Sequence, residues 1–276
     1  MKDDQWEEMR ARRAQLDARV KVAPRVTIEG VSDAIGMAAL KFEGDQQWTL
    51  QLTLEAWRLV GGTLQDRPLS LKRQATEADV KLYKHTLRPF GRYRMQVRLL
   101  MDEDLPMPEA LLEALPLDIE DPDLEQWARQ LQLPITYEDE LFGTCVLDKR
   151  IRLFKADVHW SGTRAYLYLH ADSIDTLQPV LKCAYELWNS AVNWRLRVFD
   201  RAVADLLDLK NSTWLGKDED PVSADEFRQR LSLQSISVDK DGRLEFCCTD
   251  GDLFFGHSIL VPGSLEQGLT TAYIAG

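Results

Sequence analysis

The stretch that decides the fold is LQPVLKCAYELWNSAVNWRLRVFDRAVADL, residues 177–206. Its apolar residues return every three or four positions, which is the spacing of one helix face. They are Leu177, Leu181, Ala184, Trp188, Val192, Leu196, Phe199, Val203 and Leu206. Pro179 fits only in a first turn, so the pattern predicts a helix that begins near Thr176. Such a helix would span roughly 50 Å, longer than a small domain, so we expect a bend near Asn189–Asn193.

A stripe of this length needs a sheet to cover, and strand patterns flank it on both sides. Three strands are predicted before it, at 143–147, 151–160 and 163–170, and three after it, at 234–238, 243–249 and 253–261. Short turn pairs such as Asp241-Gly242 join them. A short helix at 223–231 opens with a capping box of Ser223 and Glu226. Residues 139–276 are therefore predicted to be an α+β domain, an antiparallel sheet of two three-stranded meanders packed on a long helix.

Residues 1–101 predict a smaller, β-rich α+β domain with an N-terminal helix at 3–21. A second helix at 77–87 follows Thr76, which forms a capping box with Asp79. One strand, 93–100, places three arginines on a single face: Arg92, Arg94 and Arg98. We expect that face to be solvated beside the acidic segment that follows. Because it lacks stacking aromatic residues, the sequence argues against nucleic-acid binding.

The net charge of −11 is concentrated in one segment, since residues 102–140 hold 13 acidic side chains and one arginine. The segment also contains five prolines. Repulsion between like charges predicts that residues 102–138 are a solvated connector between the two domains, with short helices at 108–115 and 123–131. The alternative is an acidic surface that meets a basic partner or mimics a phosphate backbone.

No phosphate-binding glycine loop, nucleophile elbow or zinc-protease motif is present, so no cofactor is predicted. The four cysteines form no CxxC pair and stand at no metal-binding spacing from a histidine; we expect them to be reduced and structural, and no metal site is predicted. No run of eighteen apolar residues and no signal-peptide pattern occurs. We therefore expect a cytoplasmic protein without a membrane segment.

The stretch DGDLFFGHSILV, residues 250–261, holds the candidate chemistry. By strand alternation, His257 shares a face with Leu253, Phe255, Ile259 and Val261. One interpretation is a half-buried structural histidine; the other is acid–base chemistry or ligand binding with Asp250 or Asp252. Gly256 indicates a bulge or a close backbone approach.

Four tryptophans are expected to pack under the sheet, with an aromatic ligand cleft as the alternative: Trp160, Trp188, Trp194 and Trp214. The predicted binding residues are Trp214, Phe255, Gly256 and His257, and the candidate catalytic residues are His257, Asp252 and Asp250.

Six short motifs in the second half carry a family resemblance. They are FGTCVLDKR at 142–150, VHWSG at 158–162, NSTW at 211–214, SADEF at 223–227, LQSI at 233–236 and DGDLFFGHSILV at 250–261. Over residues 138–262 the chain resembles the bacterial domain-of-unknown-function family number twenty-two sixty-two. It departs from that family at Phe255, where such sequences often show tryptophan.

The resemblance implies an intracellular bacterial protein with no assigned activity, and its hairpin-plus-helix layout is similar to proteins suspected of neutralising toxins. We therefore expect a non-enzymatic protein-binding module, with an immunity-type role toward a toxin as its specific form and a basic surface as its target. The alternative is a hydrolase or small-ligand-binding enzyme that uses His257 and Asp252. The sequence leaves the oligomeric state open.

Overall fold

A computed structural model describes residues 2–42, 44–65, 67–217 and 219–276; for residues 2–7 and 9 it describes the backbone only. The chain divides into two compact units, residues 1–133 and 134–276. Both units are α+β. Among the described helices, none is both long and apolar enough to cross a bilayer.

The first unit has six strands and three helices in its described residues. They are α1 (Lys2–Val22), β1 (Arg25–Leu40), β2 (Trp48–Leu59), β3 (Leu69–Ala75), α2 (Glu77–Thr86), β4 (Arg92–Leu100), β5 (Glu109–Leu112), β6 (Leu117–Asp118) and α3 (Pro122–Gln132). The predicted capping box starts α2, where Thr76 and Asp79 bond reciprocally.

Five of these strands close into a barrel in the order β1-β2-β3-β5-β4, with β4 pairing back onto β1. β1 can serve both neighbours because it is long, and its register shifts between Ser32 and Met37 as it bends. The pairing of β3 with β5 is parallel, and α2 lies between β3 and β4 in the chain. This order is that of the OB-type Greek-key barrel. Alternate residues of the strands fill its interior, including Leu52, Leu71 and Val97.

The acidic segment differs from the solvated connector that we predicted. It supplies β5, β6 and α3 to the first unit, and the division between units falls after Leu133. The helix expected at 123–131 is present as α3, but residues 109–112 form a strand because Ala110 and Leu112 alternate into the core. The acidic segment can lie against the barrel because arginines of the barrel pair with its carboxylates.

The three arginines of β4 pair with carboxylates while staying partly exposed, and two of those carboxylates, Glu113 and Glu125, belong to the acidic segment expected beside them. Arg92 contacts Glu125 at 3.1 Å, Arg94 contacts Glu29 at 2.6 Å and Arg98 contacts Glu113 at 2.7 Å. The densest network surrounds Glu29, which is 5% exposed under α3. Arg58 bonds Glu29 at 3.2 Å and also bonds Asp121, the N-cap of α3, and Asp123 in its first turn. These ion pairs join α3 to the barrel.

Replacing Arg58 by methionine should loosen α3, because Glu29 would keep a buried charge with fewer partners. We expect the free energy of opening of α3 to fall by about 1–3 kcal/mol. Arg88→Met removes an exposed pair with Asp118 and should lower it by less than about 0.5 kcal/mol. Hydrogen exchange of α3 amides in the full chain measures both changes, and equal protection in the two variants would contradict the network's role.

The second unit is one sheet with helices on one face. Its elements are β7 (Thr136–Asp139), β8 (Gly143–Asp148), β9 (Leu153–Trp160), β10 (Thr163–Leu169), α4 (Ile174–Trp188), α5 (Ala191–Thr213), α6 (Ala224–Arg230), β11 (Ser232–Val238), β12 (Arg243–Thr249), β13 (Ser258–Ser264), β14 (Gly268–Leu269) and β15 (Tyr273–Ala275). The core lies between the sheet and α4, α5 and α6.

The sheet is mixed rather than purely antiparallel. The strand order is β14-β13-β12-β11-β10-β9-β8-β7, and β15 pairs with β13. Each meander is antiparallel, as predicted, but β10 and β11 pair in parallel. The connection between those two strands runs through three helices, and such crossovers are what parallel neighbours require. The two meanders therefore form a single continuous sheet.

The long helix is broken where the sequence predicted a bend. α4 ends at Trp188, and α5 begins at Ala191 after Ser190. The break turns the start of α5, so two residues of the expected stripe lie outside the core: Val192 is 67% exposed and Leu196 is 57% exposed. The remaining stripe residues of α5 (Phe199, Val203 and Leu206) are buried as expected, and Trp194, Val198 and Ala202 complete the buried face.

Two valines on α5 test this face. Val198→Ala should lower the free energy of unfolding of the second unit by about 1–2.5 kcal/mol, because it leaves a cavity under the sheet. Val192→Ala removes the same atoms from an exposed position and should change it by less than about 0.5 kcal/mol. Urea denaturation, with hydrogen exchange resolving the two units, measures the pair. A larger loss of unfolding free energy in Val192→Ala than in Val198→Ala would contradict this assignment of the buried face.

Candidate functional site

Two of the sequence motifs, NSTW at 211–214 and DGDLFFGHSILV at 250–261, meet at the C-terminal end of α5. Trp214 is the C-cap residue of α5, and its backbone N–H bonds the carbonyl of Lys210. The loop between β12 and β13, residues 250–257, packs against it. Nothing in local sequence spacing joins these two segments, which are brought together by the fold.

A buried lysine holds the segment that follows Trp214. Lys210 is 0% exposed, and its ammonium donates to the Trp214 carbonyl at 2.9 Å and to Glu219 Oε2 at 2.6 Å. The Gly216 backbone N–H donates to the same carboxylate; it lowers the pKa of Glu219 most, and Lys210 lowers it next. Asn211 bonds both the N–H and the carbonyl of Val222. The loop is therefore tied to α5 at three points.

A buried carboxylate holds the other loop. Asp250 is 3% exposed, and its oxygens accept backbone N–H bonds from Asp252 at 3.2 Å, Phe254 at 2.6 Å and Gly256 at 3.1 Å. These bonds wrap the chain around one side chain. At the loop's start, Arg230 of α6 donates to the Gly251 carbonyl at 2.9 Å.

The wrapping forces four residues into left-handed backbone conformations: Gly251, Asp252, Phe255 and Gly256, with φ of 53°, 65°, 57° and 84°. A Cβ at Gly251 would lie 2.3 Å from the Arg230 carbonyl oxygen, whereas one at Gly256 would meet no atom within 4 Å. Gly256 is therefore explained by its φ and not by a close approach. A phenylalanine at positive φ is uncommon and is kept only where surrounding bonds impose it.

The loop presents an aromatic patch, which we define as Trp214, Phe255 and His257. Trp214 lies 5.6 Å from Phe255 and 5.5 Å from His257, measured between ring centroids. It also meets the buried ring of Phe254 edge-on at 5.5 Å. Phe255 is 68% exposed, while Trp214 and His257 are half-buried. The predicted binding residues thus share one surface.

The strand predicted at 253–261 begins only at Ser258, and the alternation that placed His257 was wrong. Leu253 and Phe254 are consecutive and both fully buried, which an alternating strand does not allow. Phe255 points to solvent, although Ile259 and Val261 are buried. The backbone is bent here, and not extended as predicted, because the amides of Phe254 and Gly256 both donate to Asp250.

The candidate catalytic residues have separate surroundings. Asp250 is buried and bonded to backbone amides, whereas Asp252 is exposed. His257 Nδ1 lies 2.5 Å from the Phe254 carbonyl oxygen, a contact in which the ring nitrogen donates. That bond leaves Nε2 as the acceptor of the neutral ring. The hydrogen bonds of the described residues do not join His257 to either aspartate.

The cysteines are free, and two are buried: Cys145 and Cys248. Burial raises the pKa of Cys145 to about 11 and that of Cys248 to about 12, so both stay protonated at neutral pH. Within the described part of the chain, no three His, Cys, Asp or Glu side chains group as metal ligands would.

The second unit is thus an α+β sheet domain that presents a fixed aromatic loop. Residues 139–274 match the family described as "Uncharacterized protein conserved in bacteria (DUF2262)", which confirms the resemblance and extends it to residue 274. Residues 12–131 match a second family, described as "Domain of unknown function (DUF7021)". No curated protein matches the chain.

Sequence reasoning missed Lys210 and Glu219, which position Trp214. One signal was available: Lys210 follows Leu206 by four residues on the buried face of α5, where a charged residue needs a partner. It could not reveal Glu219, because that contact depends on the loop's path.

Two neighbouring aspartates test the loop. Asp250→Asn weakens bonds that a carboxylate makes to backbone amides, so the free energy of unfolding of the second unit should fall by about 1–3 kcal/mol. Asp252→Asn, at an exposed position, should change it by less than about 0.5 kcal/mol. Urea denaturation of the full chain measures both, and equal effects would show that Asp250 does not shape the loop.

Proposed function

We propose that the chain is a non-enzymatic protein-binding module of the bacterial cytoplasm, and that it binds its partner through the aromatic patch of Trp214, Phe255 and His257. The observation that supports this most is Phe255, a large apolar side chain that is 68% exposed on a loop fixed by a buried carboxylate.

An exposed aromatic residue on a fixed support has the properties of a binding hot spot. Such residues insert into pockets of a partner, and a loop already in its bound shape loses little conformational entropy on binding. Trp214 widens the apolar surface beside Phe255. The Trp214 carbonyl is bonded to buried Lys210, and the amides on either side of Phe255 are bonded to buried Asp250. The site is therefore suited to binding a complementary surface of a partner rather than to catalysing a reaction.

The charge around the patch suggests the partner's character. Residues 134–276 carry 22 acidic and 15 basic side chains, a net charge of −7. Asp220 and Asp252 are exposed in the two loops that form the patch. A partner with an apolar pocket rimmed by lysine or arginine would complement this surface. A toxin neutralised by the chain is the specific form we favour, and it rests on the analogy of layout.

The competing function, a hydrolase using His257 and Asp252, would need the two side chains to converge on one substrate atom. Asp250 has its carboxylate bonded to the backbone, and among the residues that the structure describes no hydrogen bond joins His257 to Asp252. This lack of a carboxylate partner for His257 supports the binding proposal over catalysis.

Photocrosslinking tests the proposal directly. A photoreactive phenylalanine analogue is placed at position 255 in the full chain, and at position 151 as the control, because Ile151 is 53% exposed in another turn of the same unit. In the native host we expect one protein to crosslink from position 255 and not from position 151. With that protein purified, Phe255→Ser should weaken Kd by about 30-fold or more, and Ile151→Ser should leave it unchanged.

Two outcomes would contradict the proposal. One is the same set of crosslinked proteins from both positions. The other is turnover of a small molecule that His257→Gln abolishes and Phe255→Ser leaves intact.

A further inference from the structure

A groove of about 290 Å³ lies on the outside of the first unit's barrel, between α1 and the outer face of β2, β3 and β5. Thr49, Gln51 and Gln74 project toward it from the strands, and Phe42 stands in the loop between β1 and β2. Inside the barrel, the cavity that reaches Leu52 and Leu71 is only about 10 Å³. The barrel interior therefore has no room for a ligand, and the outer groove has.

The groove has a surplus of positive charge. Of the described residues that line it, four are cationic and two are acidic: Arg13, Lys21, Lys72 and Arg73 against Asp17 and Glu109. Arg13 pairs with Asp17 at 2.9 Å and with Glu109 at 3.1 Å, and Lys72 lies 3.5 Å from the same Glu109. One carboxylate is therefore shared by two cations. Burial lowers the pKa of Lys72, which an anion beside it would reverse.

An aromatic side chain stands at the edge of this cationic groove. Phe42 is 70% exposed, and Lys41 and Gly44 are exposed as well. Lys41, next to it, has its ammonium 5.9 Å from the centre of the Trp48 ring. A cationic track with a flat, exposed ring beside it is the combination that holds single strands, since the cations follow the phosphates and the ring stacks on a base.

The net negative charge of the chain does not make the groove itself negative. Two acids outside the groove face arginines: Glu113, just after β5, contacts Arg25 and Arg98, and Asp118 of β6 contacts Arg88. Carboxylates also pair with Arg92, Arg94 and Arg98 of β4. The prediction against nucleic-acid binding concerned that arginine face. The groove is a different surface.

We propose that this groove binds single-stranded nucleic acid, with phosphates along Arg13, Lys21 and Lys72 and a base stacked on Phe42. OB-type barrels bind oligonucleotides on the same face, formed by strands 2 and 3. Fold alone is a weak argument, so the charge surplus and the exposed ring carry the proposal. This site is independent of the aromatic patch in the second unit.

The probe is a fluorescently labelled strand of about 12 nucleotides, oligo-uridine or oligo-deoxythymidine, added to the full chain and followed by fluorescence anisotropy. We expect binding that weakens between about 50 mM and about 200 mM salt, with a log–log slope of about −2 for three phosphate contacts. Phe42→Ala should weaken Kd by about fivefold or more at constant slope. Lys21→Glu should weaken it and reduce the slope by about 0.7.

Matched controls lie on α2, where Lys84 and Leu82 are exposed. Lys84→Glu and Leu82→Ala should leave affinity and slope unchanged. Absence of binding to both strands at about 50 mM salt would overturn the proposal. So would equal affinity for polyglutamate, which offers charge without bases, or equal losses in the groove and control variants.

Discussion

The Asp250 carboxylate is almost fully enclosed, and three backbone amides within the next six residues point at it. A buried charge is tolerated only when it is bonded in this way, so the surrounding chain has little freedom to adopt another path. Leu253 and Phe254 enter the core, and Phe255 is forced outward at positive φ. Lys210 likewise fixes the path of the segment after Trp214, because its buried ammonium donates to the Trp214 carbonyl. The exposed aromatic surface therefore depends on two buried charges beneath it.

Much of the second unit follows from sequence because its signals are local. Turn pairs such as Ser161-Gly162 and Asp241-Gly242 set the hairpins, and the limits of β9, β10 and β12 lie close to the predicted ones. The exposure of Val192 was not predictable, since an apolar period cannot show that a helix is broken and turned. The path of the 250–257 loop was not predictable either. Its apolar residues suggest an extended strand, and the sequence does not show that Asp250 accepts hydrogen bonds from the amides that follow it.

The first unit shows the opposite limit. Counting charge along the chain made residues 102–138 look self-repelling, yet their partners are arginines far away in sequence, such as Arg58 for Asp121. Closure of the barrel brings those arginines into place through the pairing of β4 with β1. The pairing of these charges is a property of the fold, and a count of charge along the chain could not reveal it. The two proposed binding surfaces are likewise assembled from segments distant in the chain.

Amide hydrogen exchange at Phe254 and Gly256 measures the central claim, which is that the aromatic loop is a fixed support. Both amides belong to a surface turn, where exchange is ordinarily fast, but both donate to the enclosed carboxylate. The account predicts protection of these two amides comparable to that of neighbouring β13, with the Phe255 ring still open to solvent. Exchange at the rate of an unstructured peptide would mean that the loop has no fixed shape, and the binding surface would lose its physical basis.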